Sequence, residues 1–566
     1  MLFRALIALV GNVFRLLLLP LTLLRRARAA STGSFVHLVV DGLLVATAAR
    51  PSRLPWAAKA RGLPIDRVRA LVDALIADPR PAGLLITIKS LAAAPAHRTA
   101  LHAELTRLRA AGRRVVIHLP YGGSTAELLL ASAADRVLIG AETMVGPLGF
   151  RSGTMYFRAA LDRVGLVPDV HAEGQYKSAG EPLMRDSMSA AQAEQSGRLL
   201  DVLHDELVSA LVTGRGLTRD AAIALLDRGI VSAAQLVESG AADAAVHDDD
   251  VVHHLGPARV EKATRLVAAR RYLLRRTARL FFRVLPRPRI AVIELHGPIV
   301  DRSPMNIGDV CEAERIVPLI DALADMPFVP AVVLHVDSPG GGVLASEKIH
   351  RAVARLAAKK PVIACFGGVA ASGGYYVSAP AACIVAAPTT ITGSIGVVAA
   401  RVLAGPLLAR LGITPQVVTR GAHADMLSMV RPFDEAEKQA FEAELDRAYR
   451  RFLTLVAEGR HRSEDEIRPL AGGRVWAGRD AHERGLVDRL GGLDVALDEA
   501  RSRARVPGAE ALLIARPSLR PPPLLRLLRA SALESLGFGP ALDLAKVTLG
   551  TRERVWALAS VDTFLP

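Results

Sequence analysis

The sequence predicts an α/β protein built from two tandem copies of one domain. Short apolar runs alternate with segments that carry apolar residues at helical spacing, which implies parallel βαβ units with right-handed crossovers. Two blocks also recur at one shared offset: GLVPDV at residue 165 matches GITPQV at residue 412, and TMVGPLG at residue 143 matches TITGSIG at residue 390. Because separated blocks share their spacing, an internal duplication is expected.

The same order of elements is expected in both halves. In the first half, strands are predicted over residues 35–44, 83–88 and 114–119, and helices over 65–77, 99–111, 125–133, 190–212 and 218–226. In the second half, strands are predicted over 290–295, 331–336 and 361–366, and helices over 313–324, 344–358 and from 375 onward. The predicted domains therefore cover residues 31–257 and 290–505.

Composition indicates a folded protein, and its cysteines indicate neither a disulfide framework nor a zinc site. The chain has 566 residues, of which 51% are hydrophobic, so it is long enough for large cores. Its three cysteines, Cys311, Cys365 and Cys383, lack ligand spacing, and the last two lie in apolar runs typical of a core. The net charge is +15, but no basic motif interleaved with aromatic residues suggests nucleic-acid binding.

The N-terminal segment, residues 1–30, is expected to associate with a membrane. The run Leu2–Leu24 is mostly apolar, and Arg4 and Arg15 fall on nearly the same helical face, opposite a wide apolar face. Three arginines follow within residues 25–28. This pattern fits an interfacial helix as well as a short spanning anchor; a cleaved signal peptide fits less well, and a buried soluble helix is the alternative.

Two further segments are rich in arginine and leucine. Residues 258–289 form a basic amphipathic linker, which fits either a membrane-surface helix or a solvated helix between domains. The tail, residues 506–566, contains the run RPSLRPPPLLRL from Arg516 to Leu527. A disordered tail is expected there, with contact to a membrane or a neighbour as the alternative.

A strand-to-helix elbow in the second copy carries a candidate nucleophile. The strand over 361–366 ends at two glycines, and small residues then surround Ser372 in the run GGVAASGGYY. Such a turn exposes a serine hydroxyl and directs the backbone amides beyond it towards developing negative charge. Taken alone, the run also fits a small-residue helix start packed against a sheet.

The two copies differ where chemistry is expected. The second copy has VDSPGGG over Val336–Gly342, where the first has IKSLAAA over Ile88–Ala94, assuming a one-residue gap. A loop of three glycines allows its amides to approach a ligand closely, and the first copy's loop has none. The first copy also has Thr125 where the second has Ser372.

The first copy instead contributes a candidate base. Lys177 lies in QYKSAGEP after a predicted strand, and the corresponding residue of the second copy is Ala424. A serine nucleophile needs a base, and lysine serves only when its pKa falls from about 10.4 towards roughly 7 to 8. The alternative for Lys177 is an exposed cation, but the complementary copies predict one composite site.

These four blocks, GGVAASGGYY, VDSPGGG, TGSIG and QYKSAGEP, resemble the signal peptide peptidase A family in its long, duplicated form. The resemblance covers about residues 35–505 and implies tandem ClpP- or crotonase-like superhelical domains. It also implies Ser372 as nucleophile and Lys177 as general base, with Ser394 orienting the lysine and the Gly341 and Gly373 amides forming an oxyanion hole. One departure is Gly342, where the family usually has serine.

The resemblance implies a serine peptidase that degrades cleaved signal peptides or other short hydrophobic peptides, without a cofactor. It further implies a homo-oligomer, a tetramer in the family, at the bacterial inner membrane with periplasmic catalytic domains. Two other classes stay open: a crotonase-type acyl-CoA hydratase or isomerase, and an inactive membrane scaffold. A Ser/His/Asp hydrolase is disfavoured, because His296, His335 and His423 form no pattern that singles out a partner.

Overall fold

Helices and strands alternate along both halves of the chain. The computed structural model describes residues 12–13, 16–45, 62–256, 260, 262–276, 288–302, 310–514 and 556–558. Its strands are β1 (Phe35–Val45), β2 (Leu63–Pro64), β3 (Gly83–Ala92), β4 (Arg114–Leu119), β5 (Arg136–Gly140), β6 (Met144–Val145), β7 (Val167–Glu173), β8 (Val231–Ser232), β9 (Ala244–Val246), β10 (Leu266–Ala268), β11 (Arg289–His296), β12 (Ile299–Val300), β13 (Cys311–Glu312), β14 (Val332–Ser338), β15 (Gly340–Gly342), β16 (Val362–Ala371), β17 (Cys383–Ala386), β18 (Ile391–Gly393), β19 (Val397–Leu403), β20 (Val475–Ala477), β21 (Arg489–Leu490), β22 (Glu510–Ile514) and β23 (Trp556–Leu558).

The helices of the described residues are α1 (Leu19–Ala27), α2 (Ile65–Ile76), α3 (Pro95–Ala110), α4 (Thr125–Ala131), α5 (Arg158–Val164), α6 (Glu181–Met184), α7 (Ala190–Arg215), α8 (Arg219–Asp227), α9 (Ala233–Glu238), α10 (Ala269–Arg276), α11 (Ala313–Ala324), α12 (Val343–Ala357), α13 (Gly373–Ser378), α14 (Gly405–Arg410), α15 (Glu435–Arg460), α16 (Glu464–Ile467), α17 (Gly478–Glu483) and α18 (Leu493–Arg503).

The helices and strands belong to two compact units, and each unit combines separate stretches of the sequence. One unit takes in the chain up to Arg151 together with Leu203–Arg287. The other takes in Ser152–Val202 together with the chain from Pro288 to Phe564. The segment that carries Lys177 therefore belongs to the second unit, although it lies in the first half of the sequence.

The first unit is built on a parallel sheet in the order β10-β1-β3-β4-β5-β9, with β2 beside β1. Its central strands read as continuous apolar runs because both faces are buried. Helix α2 buries Leu71 and Leu75, and α3 buries Leu101, Leu105 and Leu108 at helical spacing.

Among the described residues, the second unit contains a sheet of eight strands and a sheet of six. One runs in the order β20-β18-β16-β14-β11-β22, with β11, β14, β16 and β18 mutually parallel where they pair. The other runs β13-β12-β15-β23-β19-β7 and includes antiparallel pairs of β19 with β7 and of β15 with β23. Strands β15 and β16 bring the glycine loop and the Ser372 elbow into this unit.

The predicted duplication is visible in the elements themselves. Helix α2 begins at Ile65 and its counterpart α11 at Ala313, and α3 and α12 repeat this separation. The long helices α7 and α15 begin at Ala190 and Glu435, slightly closer together. The small changes of offset lie in loops, where insertions are tolerated best. The duplication is confirmed, with the one-residue gap before the later blocks that the sequence comparison assumed.

The basic and terminal segments are described only in part. In the region of the predicted linker, β10 pairs with β1, and α10 buries Tyr272, whose hydroxyl lies 3.1 Å from the Ala74 carbonyl oxygen. Residues 277–287, most of the N-terminal run before residue 16, and 515–555 and 559–566 of the tail lie outside the described residues. Within the described ranges no helix has the length and apolar character needed to cross a membrane. The three cysteines are buried and form no disulfide.

Candidate active site

Ser372 occupies a strained elbow between β16 and α13. Its φ is 53° and its ψ is −117°, a conformation that non-glycine residues rarely adopt and that costs about 1–3 kcal/mol. Two backbone hydrogen bonds hold it: the Ser372 N–H donates to the Gly393 carbonyl at 2.7 Å, and the Tyr376 N–H donates to the Ser372 carbonyl at 2.8 Å. The side chain is fully buried.

The predicted oxyanion residues lie against each other beside this elbow. A Cβ placed on Gly373 would be 3.0 Å from the Gly341 nitrogen and 3.1 Å from the Gly340 Cα. A Cβ on Gly341 would collide with the Ile299 carbonyl oxygen at 1.9 Å. Only glycine therefore fits at both positions, and its absence of a side chain brings the two backbones together.

Strand pairing brings Lys177 to the same place. Strand β7 runs antiparallel to β19, with Glu173 opposite Val397, and the chain turns at Gly174 immediately afterwards. The Tyr176 N–H then donates to the Gly472 carbonyl at 2.9 Å, and the Lys177 N–H donates to the Gly174 carbonyl at 3.1 Å. These bonds fix the backbone from which the lysine side chain extends.

The Lys177 amine contacts three oxygen atoms of two serines. Its Nζ lies 2.7 Å from Ser372 Oγ, 3.0 Å from the Ser394 carbonyl oxygen and 3.1 Å from Ser394 Oγ. Lys177 is only 5% exposed, and Ser394 is 1% exposed. Ser394 also has a positive φ, of 52°, and its N–H donates to the Arg474 carbonyl at 2.7 Å.

Loss of water changes the acid–base character of this amine. Burial lowers the pKa of Lys177 well below its ordinary value of 10.5, because the charged form loses its hydration. A neutral amine has two N–H groups and one lone pair. The two N–H groups match the two oxygens of Ser394, and the lone pair is then free to accept the Ser372 hydroxyl proton.

The equivalent residues of the first copy make hydrogen bonds that stabilise its own loops and helices. Thr125, the counterpart of Ser372, donates its hydroxyl to the Gly149 carbonyl at 3.0 Å and begins a helix that Ser124 and Glu127 cap. Strand β3 extends as far as Ala92, the first of the three alanines that stand where the second copy has its three glycines. Among the described residues, the serine, the lysine and the glycine loop meet only in the second unit.

Sequence reasoning missed two supports of the site. Gly473 packs against the Lys177 backbone. The dipeptide GG at residues 472 and 473 is the sequence feature that could have predicted such a close approach of two backbones. Glu347 accepts hydrogen bonds from the Tyr376 hydroxyl and, at 3.1 Å, from Arg451, which links α12, α13 and α15 behind the elbow. No local sequence pattern indicates the hydrogen bonds of Glu347, since Glu347, Tyr376 and Arg451 are distant from one another in sequence.

Comparison with known proteins gives consistent matches. The model of peptidase family S49 matches residues 107–259 and 354–507, one region in each half of the chain. The chain is 30% identical to "Serine protease SPPA, chloroplastic" of Arabidopsis thaliana over 81% of this chain and 68% of that protein. It is 34% identical to "Protease 4" of Salmonella typhi over 68% of this chain and 63% of that protein. It is 30% identical to "Protease 4" of Haemophilus influenzae over 70% of this chain and 66% of that protein.

The chain thus spans about two thirds of the length of these relatives. A solved structure, a ClpP1 mutant from Listeria monocytogenes, aligns at 18% identity with 36% of this chain and 91% of its own, with a TM-score of 0.24. That score is too low to support an argument about the fold. The sequence matches confirm the resemblance stated above, including its duplicated form.

Substitution of Gly473 by alanine is expected to displace the lysine. The new Cβ would meet the Lys177 nitrogen and Cβ at 2.6 Å, and these atoms belong to a buried backbone segment. We expect Ser372 to react with a fluorophosphonate probe at least about 10-fold more slowly, since small misplacements of a catalytic group are costly. Gly472→Ala is the matched control, because Gly472 also has a positive φ but no atom within 4 Å of its Cβ position. Equal labelling rates in the two variants would contradict this account of how Lys177 is held.

Proposed function

Since the chain belongs to peptidase family S49, we propose that it is a serine peptidase in which Ser372 is the nucleophile and Lys177 the general base. The observation that carries the proposal is the 2.7 Å contact between Lys177 Nζ and Ser372 Oγ, inside a site that removes both groups from water. Serine–lysine pairs are an established alternative to the triad with histidine.

The reaction follows from the contacts. Ser372 Oγ attacks the carbonyl carbon of a peptide bond while its proton passes to Lys177 Nζ, and the Gly341 and Gly373 amides stabilise the negative oxygen. The Lys177 ammonium then donates that proton to the leaving amine as the C–N bond breaks, which leaves an acyl group on Ser372. A water molecule, deprotonated by the neutral lysine, releases the acid and restores the serine.

Ser394 has the role of orienting the base in this proposal. Its carbonyl oxygen only accepts hydrogen bonds, so it takes one N–H of the amine at 3.0 Å, and its hydroxyl lies 3.1 Å away. With both N–H groups used in this way, the lone pair faces Ser372. No metal or cofactor enters the reaction as proposed.

The space between strands β15 and β19, here called the slot, has room for one extended strand and supports an extended peptide as substrate. The backbone of Trp556–Leu558 lies antiparallel to Gly340–Gly342 on one side and pairs with Val398 on the other. The edges of β15 and β19 therefore accept an extended chain next to the elbow, as in other peptide recognition by strand addition. A substrate in register with Gly341 takes the place that this strand occupies.

The finer features of the proposal are those that the resemblance implies. The substrates are cleaved signal peptides or other short hydrophobic peptides, and the two halves have ClpP- or crotonase-like superhelical folds. Helix α1 supports association with a membrane surface, because it buries none of its residues and ends in Arg25 and Arg26, with exposed Leu21 and Leu24 beside them. A homo-oligomer at the bacterial inner membrane, with the site on the periplasmic side, completes the proposal.

Loss of either reacting side chain is expected to abolish hydrolysis. Ser372→Ala and Lys177→Met should each lower kcat/KM on a quenched fluorescent hydrophobic peptide by about 10³-fold or more. Lys438→Met, at a half-exposed surface lysine, should keep the activity. Peptide cleavage by either site variant at the rate of the parent protein would refute the assignment. Turnover of an acyl-CoA with Ser372 unreactive to a fluorophosphonate would favour the crotonase class instead.

Proline at Ala557 is expected to improve the use of short peptides. In the middle of a sheet proline removes a ladder N–H and disrupts pairing, so Ala557→Pro should open the slot between β15 and β19 and lower KM several-fold. Ala557→Ser keeps the N–H and should leave KM unchanged. An identical KM in all three proteins would mean that substrates do not bind where this strand lies.

A further inference from the structure

Ser346 is a buried polar residue that has no role in the reaction as described so far. It is the fourth residue of α12, the helix that begins directly after the glycine loop, and it is 0% exposed. Among the described residues its Oγ has no hydrogen-bond partner. A helical serine ordinarily bonds the carbonyl four residues earlier, as Ser378 does with the Gly374 carbonyl at 2.8 Å. A buried hydroxyl that forgoes this bond points to a partner that arrives later.

The position of this hydroxyl indicates what that partner is. The point where a Cβ of Gly373 would lie is 2.7 Å from Ser346 Oγ and 3.0 Å from the Gly341 nitrogen. The Ser346 hydroxyl therefore lies beside the backbone of both residues whose amides are the proposed oxyanion donors, and it can approach Gly373 so closely because residue 373 has no side chain.

We propose that Ser346 Oγ–H is a third donor of the oxyanion hole. The proposal rests on the function proposed above: as Ser372 attacks, the carbonyl oxygen of the substrate gains negative charge, and the Ser346 hydroxyl rotates to donate to it beside the Gly341 and Gly373 amides. The hydroxyl has no partner among the described residues of the free protein and becomes paired as charge develops. Its contribution is therefore larger in the transition state than in the ground state, and it appears in kcat.

Ser346→Ala removes the oxygen and adds no bulk, so it tests this role directly. We expect kcat for peptide hydrolysis to fall about 10- to 100-fold, near the range for loss of one oxyanion donor, with KM within about twofold of the parent value. Binding of a peptide boronic acid, whose adduct with Ser372 is tetrahedral, should weaken by the same factor as kcat. Thermal unfolding should occur at an equal or higher temperature, because the variant no longer buries an unpaired hydroxyl.

Ser378→Ala is the matched control, since Ser378 is equally buried in the neighbouring helix and its hydroxyl has a structural partner. This variant should lose stability and keep kcat. An unchanged kcat in Ser346→Ala would overturn the proposal, as would a loss of kcat with unchanged boronic acid affinity. Because Ser372→Ala is measured in parallel, an active Ser372→Ala would refute the proposed function itself, whereas an inactive Ser372→Ala with an unaffected Ser346→Ala would refute only the third donor.

Discussion

Removal of the Lys177 amine from water is the constraint on which the rest of the site depends. An ammonium group with 5% exposure and serine oxygens as its hydrogen-bond partners has lost most of its hydration, and the pKa of the lysine falls for this reason. The surrounding backbone has to hold the buried amine in one orientation. The pairing of β7 with β19, the turn at Gly174 and the packing of Gly473 each serve that purpose.

The backbone around Ser372 and Ser394 is held in one conformation as firmly as the backbone around Lys177. Ser372 and Ser394 both have positive φ angles, and their N–H groups are bonded to the carbonyls of Gly393 and Arg474. The free energy stored in these conformations has to come from the packing around them, and β16 and α13 are among the most completely buried elements of the second unit. Glycine at 341 and 373 then lets the two amides proposed for the oxyanion hole approach each other without strain in the neighbouring chain.

Much of this arrangement is predictable from sequence, and the rest is not, for physical reasons. Alternating apolar runs predict the strands and helices because burial imposes the periodicity, and the shared offset of the repeated blocks predicts the duplication. Glycine and small residues around Ser372 predict the elbow because few others fit there. The contact of Lys177 with Ser372 joins residues 195 positions apart, and the difference between the two copies, not periodicity, predicts that they share a site. The pairing of Gly341 with Ala557 is longer still, and no pattern in the sequence predicts it. Neither follows from local periodicity. The unpartnered Ser346 hydroxyl depends on a helix packing geometry that no spacing encodes.

The protonation state of Lys177 is the most direct test of the account. Lysine labelled with ¹³C at Cε can be titrated by NMR in the intact protein, and the Lys177 signal is identified by its absence from the Lys177→Met variant. The account predicts that this signal titrates with a pKa well below the ordinary 10.5, because burial disfavours the charged form of the amine. A signal that titrates at or above 10.5 would mean that the amine is charged at neutral pH, and Lys177 could not then accept the proton of Ser372.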